Sequence, residues 1–285
     1  MQETFKVCLI IFLSAFVIVS CSKEQLSLND VAGEEQTTDE GSPKLNSNLG
    51  TKFQLGDGSN LVMEHSWNTG GCAPCSTQEW SGDLDDIVGG SGPNESYFYE
   101  NSASTQLNLK CQRQEGRRAE FKQTTEGPLT STSQMDFWAV YFDIPNDGVT
   151  IAQVHNRGGS SNKPFFRLVL HEDHLETVVR EDPEVDSDDT EFDKDQFYFP
   201  GGDYDYGSMR VILNKFNGRV RCRVYYNGSW ILDETFTPQN GTDWIDDSGI
   251  ANGYYLKAGV YNDEGSHTED IRVKYTTFKF STNDT

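Results

Sequence analysis

Three short segments of the sequence carry polar side chains that are suited to acid–base chemistry. They read RRAEFK from Arg117, IAQVHN from Ile151 and YYLKAGVYND from Tyr254. In each segment small or apolar residues alternate with polar ones, and a period of two is typical of a β-strand with one face toward a core. If the three strands are neighbours in one sheet, their polar faces can neutralise a charge and move a proton on one bound molecule. The groups are a guanidinium, an amide, an imidazole and a phenol, on Arg118, Gln153, His155 and Tyr261.

The same faces carry four further polar or aromatic residues, which we assign to binding a ligand and orienting the other groups: Glu120, Lys122, Tyr255 and Lys257. The alternative interpretation is a solvated face with a cross-strand ion pair between Arg118 and Glu120. In that case His155 is a structural histidine and Tyr261 caps a sheet edge. We assign no role to the other histidines, which are His65, His171, His174 and His267.

The rest of the chain predicts an all-β fold. From Leu107 onward, short segments rich in β-branched and aromatic residues are separated by Gly, Asn and Asp, and none has the periodicity of a long amphipathic helix. Asn227 and Gly228 lie between RVRCRVYY and SWILDETF and predict a β-hairpin, because both residue types accept positive φ. Many strands at roughly even spacing indicate a β-sandwich or a jelly roll.

The N-terminus predicts export. Lys6 precedes an apolar run from Val7 to Val19, and the four residues IVSC that end at Cys21 resemble a bacterial lipobox, in which the cysteine is lipidated. The alternative is an ordinary cleaved signal. We expect a signal peptide at residues 1–21, a flexible acidic tether at 22–51 and one domain at 52–285. The expected location is the outer membrane of a bacterium, on the periplasmic or outer surface, with a lipid anchor as the only membrane attachment.

The charge of the chain restricts its partners. Lys and Arg number 23 against 45 Asp and Glu, so the formal net charge is -22 at pH 7. This balance excludes a general nucleic-acid binder, which needs a broad positive surface. An anionic partner therefore has to meet a local basic patch, and we expect the protein to be a monomer.

Four cysteines of the expected domain predict one or two disulfides in an oxidising compartment: Cys72, Cys75, Cys111 and Cys222. The sequence leaves the three full pairings open, and CAPC also has the spacing of a redox motif or half a zinc site. The acidic segment from Arg180 to Gln196 predicts a solvated loop, with calcium binding as the alternative. We assign no metal ligand and expect no cofactor.

The three segments resemble the motifs of the family 7 polysaccharide lyases, the alginate lyases. RAEFK resembles R-(S/T)-E-(L/V)-R, QVH matches Q-(I/V)-H, and YLKAGVYND is similar to Y-F-K-A-G-(V/I)-Y-N-Q, in the order of the family. The resemblance implies a β-jelly roll whose concave sheet forms the substrate groove. Three residues depart from the family pattern, namely Ala119, Lys122 and Asp263.

The resemblance implies β-elimination on an anionic 4-linked uronate polysaccharide, alginate, with glucuronan and ulvan as alternatives. Arg118 would neutralise the substrate carboxylate, and Gln153 would donate a hydrogen bond to it. His155 would assist or take the proton, and Tyr261 would protonate the leaving oxygen. Tyr261 can also be the base if cations such as Arg118 and Lys257 lower its pKa.

Two other classes of protein fit parts of the sequence. A non-catalytic carbohydrate-binding lipoprotein would use exposed tryptophans, for which Trp138, Trp230 and Trp244 are candidates. A glycoside hydrolase needs two opposed carboxyl groups, and Glu120 has no evident partner in the sequence.

Overall fold

The structure is a computed structural model. It describes residues 53–54, 61–66, 77–80, 98–100, 106–156, 164–180, 192–237, 253–263, 265 and 267–282. All long regular elements in these ranges are β-strands. These ranges contain no helix that is both long enough and apolar enough to cross a bilayer. The predicted signal peptide, with Cys21, and the predicted tether lie outside the described residues.

The strands form two sheets. In spatial order, the first contains β14 (Ser229–Phe236), β13 (Arg219–Tyr226), β12 (Met209–Phe216), β7 (Ser133–Phe142), β16 (Ile271–Thr282), β5 (Leu107–Cys111) and β4 (Phe98–Glu100). The short β1 (Phe53–Gln54) pairs in parallel with β16. The second contains β11 (Phe192–Tyr198), β10 (His174–Arg180), β9 (Phe166–Leu170), β8 (Val149–Asn156), β15 (Tyr254–Asn262), β6 (Arg117–Gln123), β2 (Leu61–Ser66) and β3 (Thr77–Trp80).

Alternation along the strands decides which side chains enter the core between the sheets. In β7, every second residue from Ser133 to Tyr141 is buried. Aromatic rings join the two layers: the ring of Phe121 on β6 lies 4.8 Å from that of Phe278 on β16, which stacks on Phe137 at 5.4 Å. Burying such rings is the main favourable contribution to folding, and tilted or offset ring pairs add to it. The predicted all-β jelly-roll sandwich is confirmed.

The predicted hairpin between β13 and β14 is present. Asn227 and Gly228 have φ values of 46° and 87°, and a type I′ turn requires positive φ at both central residues. The predicted acidic loop is shorter than expected, because Arg180 ends β10 and residues 192–196 belong to β11. β11 is an edge strand, where exposed charged residues such as Lys194 and Asp195 are common because they discourage pairing with other chains.

Of the predicted one or two disulfides, none involves Cys111 or Cys222. Cys111 on β5 and Cys222 on β13 are free thiols, both buried in the core. Three strands of the first sheet separate β13 from β5, which puts the two sulfur atoms far beyond disulfide reach. Cys72 and Cys75 lie outside the described residues.

Candidate active site

The three motif strands are neighbours, with β15 between β6 and β8. Tyr261 on β15 lies directly opposite Arg118 on β6. On the other side, Tyr255 lies opposite His155 and Lys257 opposite Gln153. We call the face of the second sheet that these side chains share the site face. Ala119, Val154 and Val260, which alternate with them, are completely buried in the core.

An irregularity in β15 sets the spacing of the groups. Its pairing with β8 shifts register between Ala258 and Tyr261, whereas its pairing with β6 is continuous. Gly259 lies in this irregular stretch, where a Cβ atom would stand 2.2 Å from the carbonyl oxygen of Ala119. Only glycine allows this approach, so Gly259 holds β6 and β15 tightly together below the site.

Arg118 and Tyr261 form a stacked pair. The guanidinium carbon of Arg118 lies 4.3 Å from the centre of the Tyr261 ring. The backbone N–H of Arg118 also donates to the hydroxyl of Ser66 at 2.9 Å, which ties β6 to β2 at this level. Both side chains remain partly exposed, so a ligand on the site face can reach them.

Beneath this pair lies a buried network of charges. The ammonium of Lys257 contacts a carboxylate oxygen of Glu64 and lies 3.4 Å from one of Glu120. The guanidinium of Arg118 lies 3.5 Å and 3.9 Å from the same two carboxylates. The amide of Gln153 donates to the other oxygen of Glu120 at 2.6 Å. The carboxylates therefore hold the cations and the amide in fixed positions.

Glu64 is ionised in this network. Although burial of its carboxyl opposes ionisation, Lys257 and Arg118 lower the pKa of Glu64 below its ordinary value. Lys122, which follows Glu120 on the same face of β6, adds a third cation and lies 5.4 Å from the centre of the Tyr255 ring. Three cations thus face two carboxylates, which leaves positive charge on the site face of a strongly acidic protein.

His155 is a neutral imidazole with one accepting nitrogen. Its Nδ1 lies 2.6 Å from the carbonyl oxygen of Asn156, and because a carbonyl only accepts, Nδ1 donates and Nε2 carries the lone pair. Burial, reinforced by the charges of Lys257 and Arg118, lowers the pKa of His155 to about 3. The ring stacks on Tyr255 with 5.2 Å between ring centres.

The phenol of Tyr261 stays protonated at neutral pH. Burial raises its pKa above the ordinary value, and the opposing effects of Arg118 and Arg167 are smaller. The condition under which Tyr261 could also be the base, a pKa lowered by nearby cations, is therefore not met in the free protein, because loss of hydration outweighs their attraction for a phenolate. Since β15 is a central strand, Tyr261 does not cap a sheet edge.

A cavity of about 310 Å³ lies on the same face beside Tyr261. Its walls come from β8, β9, β10 and the turns next to them, and they include Thr150, which pairs with Tyr261 across the strands. The side chain of Arg167 forms a salt bridge with Asp263, one of the residues that depart from the family pattern, at the edge of the cavity.

The eight predicted site residues thus lie together on the site face, and their chemical roles stay predictions. Glu120 and Lys257 are almost completely buried and are ion-paired with each other, which suits them to orient other groups rather than to contact a ligand. Sequence reasoning missed Glu64 and Arg167. The alternation of Val62, Glu64 and Ser66 in LVMEHS was the available signal for Glu64, and that of Arg167 and Val169 in FFRLVL was the signal for Arg167.

No protein-family model matches the chain, and no curated protein matches it in sequence. Solved structures match its fold. The alginate lyase from Klebsiella pneumoniae superposes with a TM-score of 0.59 at 12% identity, over 82% of this chain and 98% of that one. The alginate lyase from Pseudomonas aeruginosa superposes with a TM-score of 0.56 at 16% identity, over 80% of this chain and 100% of that one.

A further similar structure is a family 7 alginate lyase in which one histidine is replaced by asparagine and one tyrosine by phenylalanine, in complex with substrate. It superposes with a TM-score of 0.55 at 14% identity, over 84% of this chain and 98% of that one. At these identities the likeness concerns the fold. The chain has the β-jelly-roll fold of the family 7 alginate lyases, which confirms at the level of the fold the resemblance carried by its three motifs.

Proposed function

We propose that this protein is a polysaccharide lyase that cleaves alginate, a 4-linked uronate polymer, by β-elimination. The observation that carries the proposal is the stacked pair of Arg118 and Tyr261 beside Gln153 and the neutral imidazole of His155, on one face of one sheet. The fold supports it, because its structural neighbours are alginate lyases and one of them holds substrate.

The first requirement of the reaction is a neutralised carboxylate, because the C5 proton of a uronate is only weakly acidic beside a negative charge. Arg118 supplies a positive charge that is fixed by Glu64 and Glu120. Gln153 has one amide N–H committed to Glu120 and a second available for the substrate carboxylate. Groups held in advance by a buried network need no rearrangement when charge develops on the substrate.

The second requirement is a base and an acid. Nε2 of His155 accepts the C5 proton; as that C–H bond breaks, a C4=C5 double bond forms and the C4–O4 bond breaks. The leaving oxygen takes the proton of the Tyr261 hydroxyl. The pKa directions of the two groups support this division, because the imidazole is neutral and the phenol protonated near pH 7.

The low basicity of His155 in the free protein also follows from its surroundings. Its pKa of about 3 reflects burial and the cations Lys257 and Arg118. A bound uronate brings a negative charge into this site, which offsets the cations and raises the pKa of the imidazole. The substrate thereby increases the basicity of the group that attacks it.

The two rival classes of protein lack support on this face. Glu64 is the carboxyl partner that a glycoside hydrolase would require for Glu120, but the pKa of Glu64 is lowered and both groups contact Lys257, so Glu64 is a poor proton donor. A binding protein would present exposed tryptophans there, whereas Trp138 and Trp230 lie on β7 and β14 of the first sheet. Trp244 lies outside the described residues.

Incubation of the purified protein with polymannuronate, polyguluronate, glucuronan and ulvan tests the proposal. Elimination creates a C4=C5 double bond conjugated to the carboxylate, so activity appears as rising ultraviolet absorbance. We expect activity on polymannuronate or polyguluronate. Activity on glucuronan or ulvan alone would identify one of the alternative substrates, and no absorbance change on any polymer would contradict the lyase proposal.

For location, the proposal is an exported monomer that is anchored through a lipid on Cys21 and faces the periplasm or the cell surface. It rests on the lipobox-like IVSC and the preceding apolar run. Cys21→Ala should abolish incorporation of a labelled fatty acid and move the protein from the membrane fraction to the soluble fraction of a bacterial expression host. Retention of the label in the variant would contradict the anchor.

A further inference from the structure

A cluster of two histidines and a glutamate lies at the turn between β9 and β10. His171 occupies the turn, and His174 and Glu176 are the first and third residues of β10. One ligand atom from each of the three lies within 4.8 Å of the others. His171 and Glu176 also line the cavity on the site face. The proposed lyase chemistry uses none of these residues.

The local fold brings the three side chains together. The backbone N–H of His171 donates to the carbonyl of His174 at 2.9 Å, which closes the turn and places the imidazoles side by side. Their rings are nearly parallel, with 4.3 Å between centres. Glu176 follows His174 by two residues, so its side chain leaves the same face of the strand. Gly148 leaves space for the ring of His171, since a Cβ there would stand 2.7 Å from it.

Both imidazoles are fixed in the tautomer that a metal ion requires. Nδ1 of His174 lies 2.6 Å from a carboxylate oxygen of Asp173, and His171 donates a hydrogen bond to the backbone of Asn146. The Nε2 atoms of both rings are buried and have no hydrogen-bond partner among the described residues. With Nδ1 as the donor, each Nε2 carries a lone pair that points away from these partners.

Within the described part of the chain, the Nε2 atoms of His171 and His174 lack a partner that a bound ion could supply. Buried lone pairs without a partner are costly, and few remain in folded proteins. A cation between the two nitrogens satisfies both.

We propose that Nε2 of His171, Nε2 of His174 and a carboxylate oxygen of Glu176 bind a divalent transition-metal ion, with Zn²⁺ as the best fit. Two imidazoles and a carboxylate form a ligand set that zinc uses often, with its fourth position open to water or another ligand. Ligand atoms on a tetrahedral zinc are about 3.3 Å apart. Binding requires the two rings to rotate out of their parallel stack, so that both lone pairs converge on the ion.

The surroundings of the cluster fit such an ion. A carboxylate or carbonyl behind each ligating histidine raises its affinity for metal, and here Asp173 and Asn146 hold those positions. Glu176 also lies 3.4 Å from the ammonium of Lys194, but that lysine is half exposed and its ion pair is weak. The cavity provides an entry path and leads toward Arg167 and Asp263 beside the proposed active site.

The test is metal binding by the full chain, measured without reference to lyase activity. After removal of metals with a chelator and dialysis, Zn²⁺ is titrated in a calorimeter and bound zinc is measured by elemental analysis. We expect one ion at this site and a loss of affinity of at least about 100-fold in His171→Ala and in His174→Ala. Cobalt(II) in place of zinc should give the intense visible absorption of a four-coordinate site.

Two further variants separate this site from others and from a folding defect. Asp173→Asn changes an exposed side chain that contacts no metal in the proposal, and it should weaken zinc binding about 10-fold with an unchanged melting temperature. His267→Ala, at an imidazole that bonds to Asn262, should bind zinc as the wild type does. The double variant Cys72→Ser and Cys75→Ser should also bind as the wild type does.

The proposal is overturned if the wild type takes up no zinc at micromolar concentrations. It is equally overturned if folded His171→Ala and His174→Ala proteins bind as tightly as the wild type, or if only the cysteine variant loses the metal. Because binding is read directly, failure of the lyase assay leaves this outcome unaffected.

Discussion

Arg118 and Tyr261 are direct cross-strand neighbours, and the guanidinium of one lies 4.3 Å from the ring centre of the other. The pair joins β6 to β15, strands that are separated by more than a hundred residues in the sequence. Arg118 is anchored below by Glu64 and Glu120, so it cannot turn away without leaving those carboxylates. The position of the phenol therefore depends on two carboxylates that contact no substrate in our proposal.

Tyr261→Phe should remove the proton donor and keep the stacking. We expect kcat/KM on the preferred polymer to fall about 10²–10⁴-fold, the usual contribution of a positioned acid or base, with an unchanged melting temperature. The matched control is Tyr206→Phe, at an exposed tyrosine of the described chain, which should keep full activity. Near-normal turnover of a folded Tyr261→Phe protein would contradict the assignment.

The pH dependence of stability should reveal the buried His155. Its pKa is about 3 in the folded chain against an ordinary value of 6.5, so the unfolded chain binds more protons between these values. The contribution of the neutral His155 to the free energy of unfolding is therefore fully present above pH 6.5 and is lost as the pH falls toward 3. His65, with a pKa of about 4, contributes in the same direction.

Urea unfolding between pH 7 and pH 4 measures this effect. His155→Gln should reduce the loss of unfolding free energy over that range, and the double variant with His65→Gln should reduce it further. An identical pH dependence in the wild type and His155→Gln would show that the imidazole is not buried as a neutral base.

Glu64→Gln should destabilise the fold strongly, because it leaves Lys257 and Arg118 without one of their two carboxylates in a buried position. Removing one partner of a buried ion pair costs about 3–5 kcal/mol. The control is Asp233→Asn, which breaks the exposed pair with Arg221 and should cost less than about 1 kcal/mol. Chemical denaturation measures the free energy of unfolding of both variants, and an equal loss of stability in the two would refute the buried network.

Gly259→Ala should weaken both the fold and the activity, because the new Cβ atom would collide with the backbone of β6 at Ala119 and Glu120. Forcing extra volume into a packed site costs about 1–3 kcal/mol, and moving β6 displaces Arg118. Gly228→Ala is the comparison, since its φ of 87° makes alanine strained but no atom lies near the new methyl. The Gly228→Ala protein should be less stable than the wild type but should keep its kcat. Full activity in Gly259→Ala would contradict the close contact.

Much of the site could be predicted because period-two alternation fixes which side chains share a face. The segments RRAEFK and YYLKAGVYND match the strands β6 and β15 to within one residue at one end. Alternation does not say which strands are neighbours. The resemblance of the three segments to the family motifs was needed to place them in one sheet. Glu64 was missed for this reason, since nothing local to LVMEHS indicates that β2 pairs with β6.

Other features depend on contacts that no local pattern encodes. The register shift of β15 against β8 occurs in the stretch where Gly259 closely approaches β6. The raised pKa of Tyr261 follows from burial, which sequence reasoning underestimated beside two cations. The cluster at the β9–β10 turn has the spacing H-x-x-H-x-E, but the spacing gains meaning only when the turn brings one ligand atom of each residue within 4.8 Å of the others.

The order of the strands also determines when the chain can fold. β15 joins the two halves of the second sheet, and β16 joins the two halves of the first, yet both come from residues 254–282. Neither sheet can close until these residues have been synthesised, and the pairing of distant segments makes closure slow. A nascent chain of this topology stays open until these two strands have been made, and the export that we propose would require such an open chain. Closure of the second sheet and assembly of the proposed active site would then be one event.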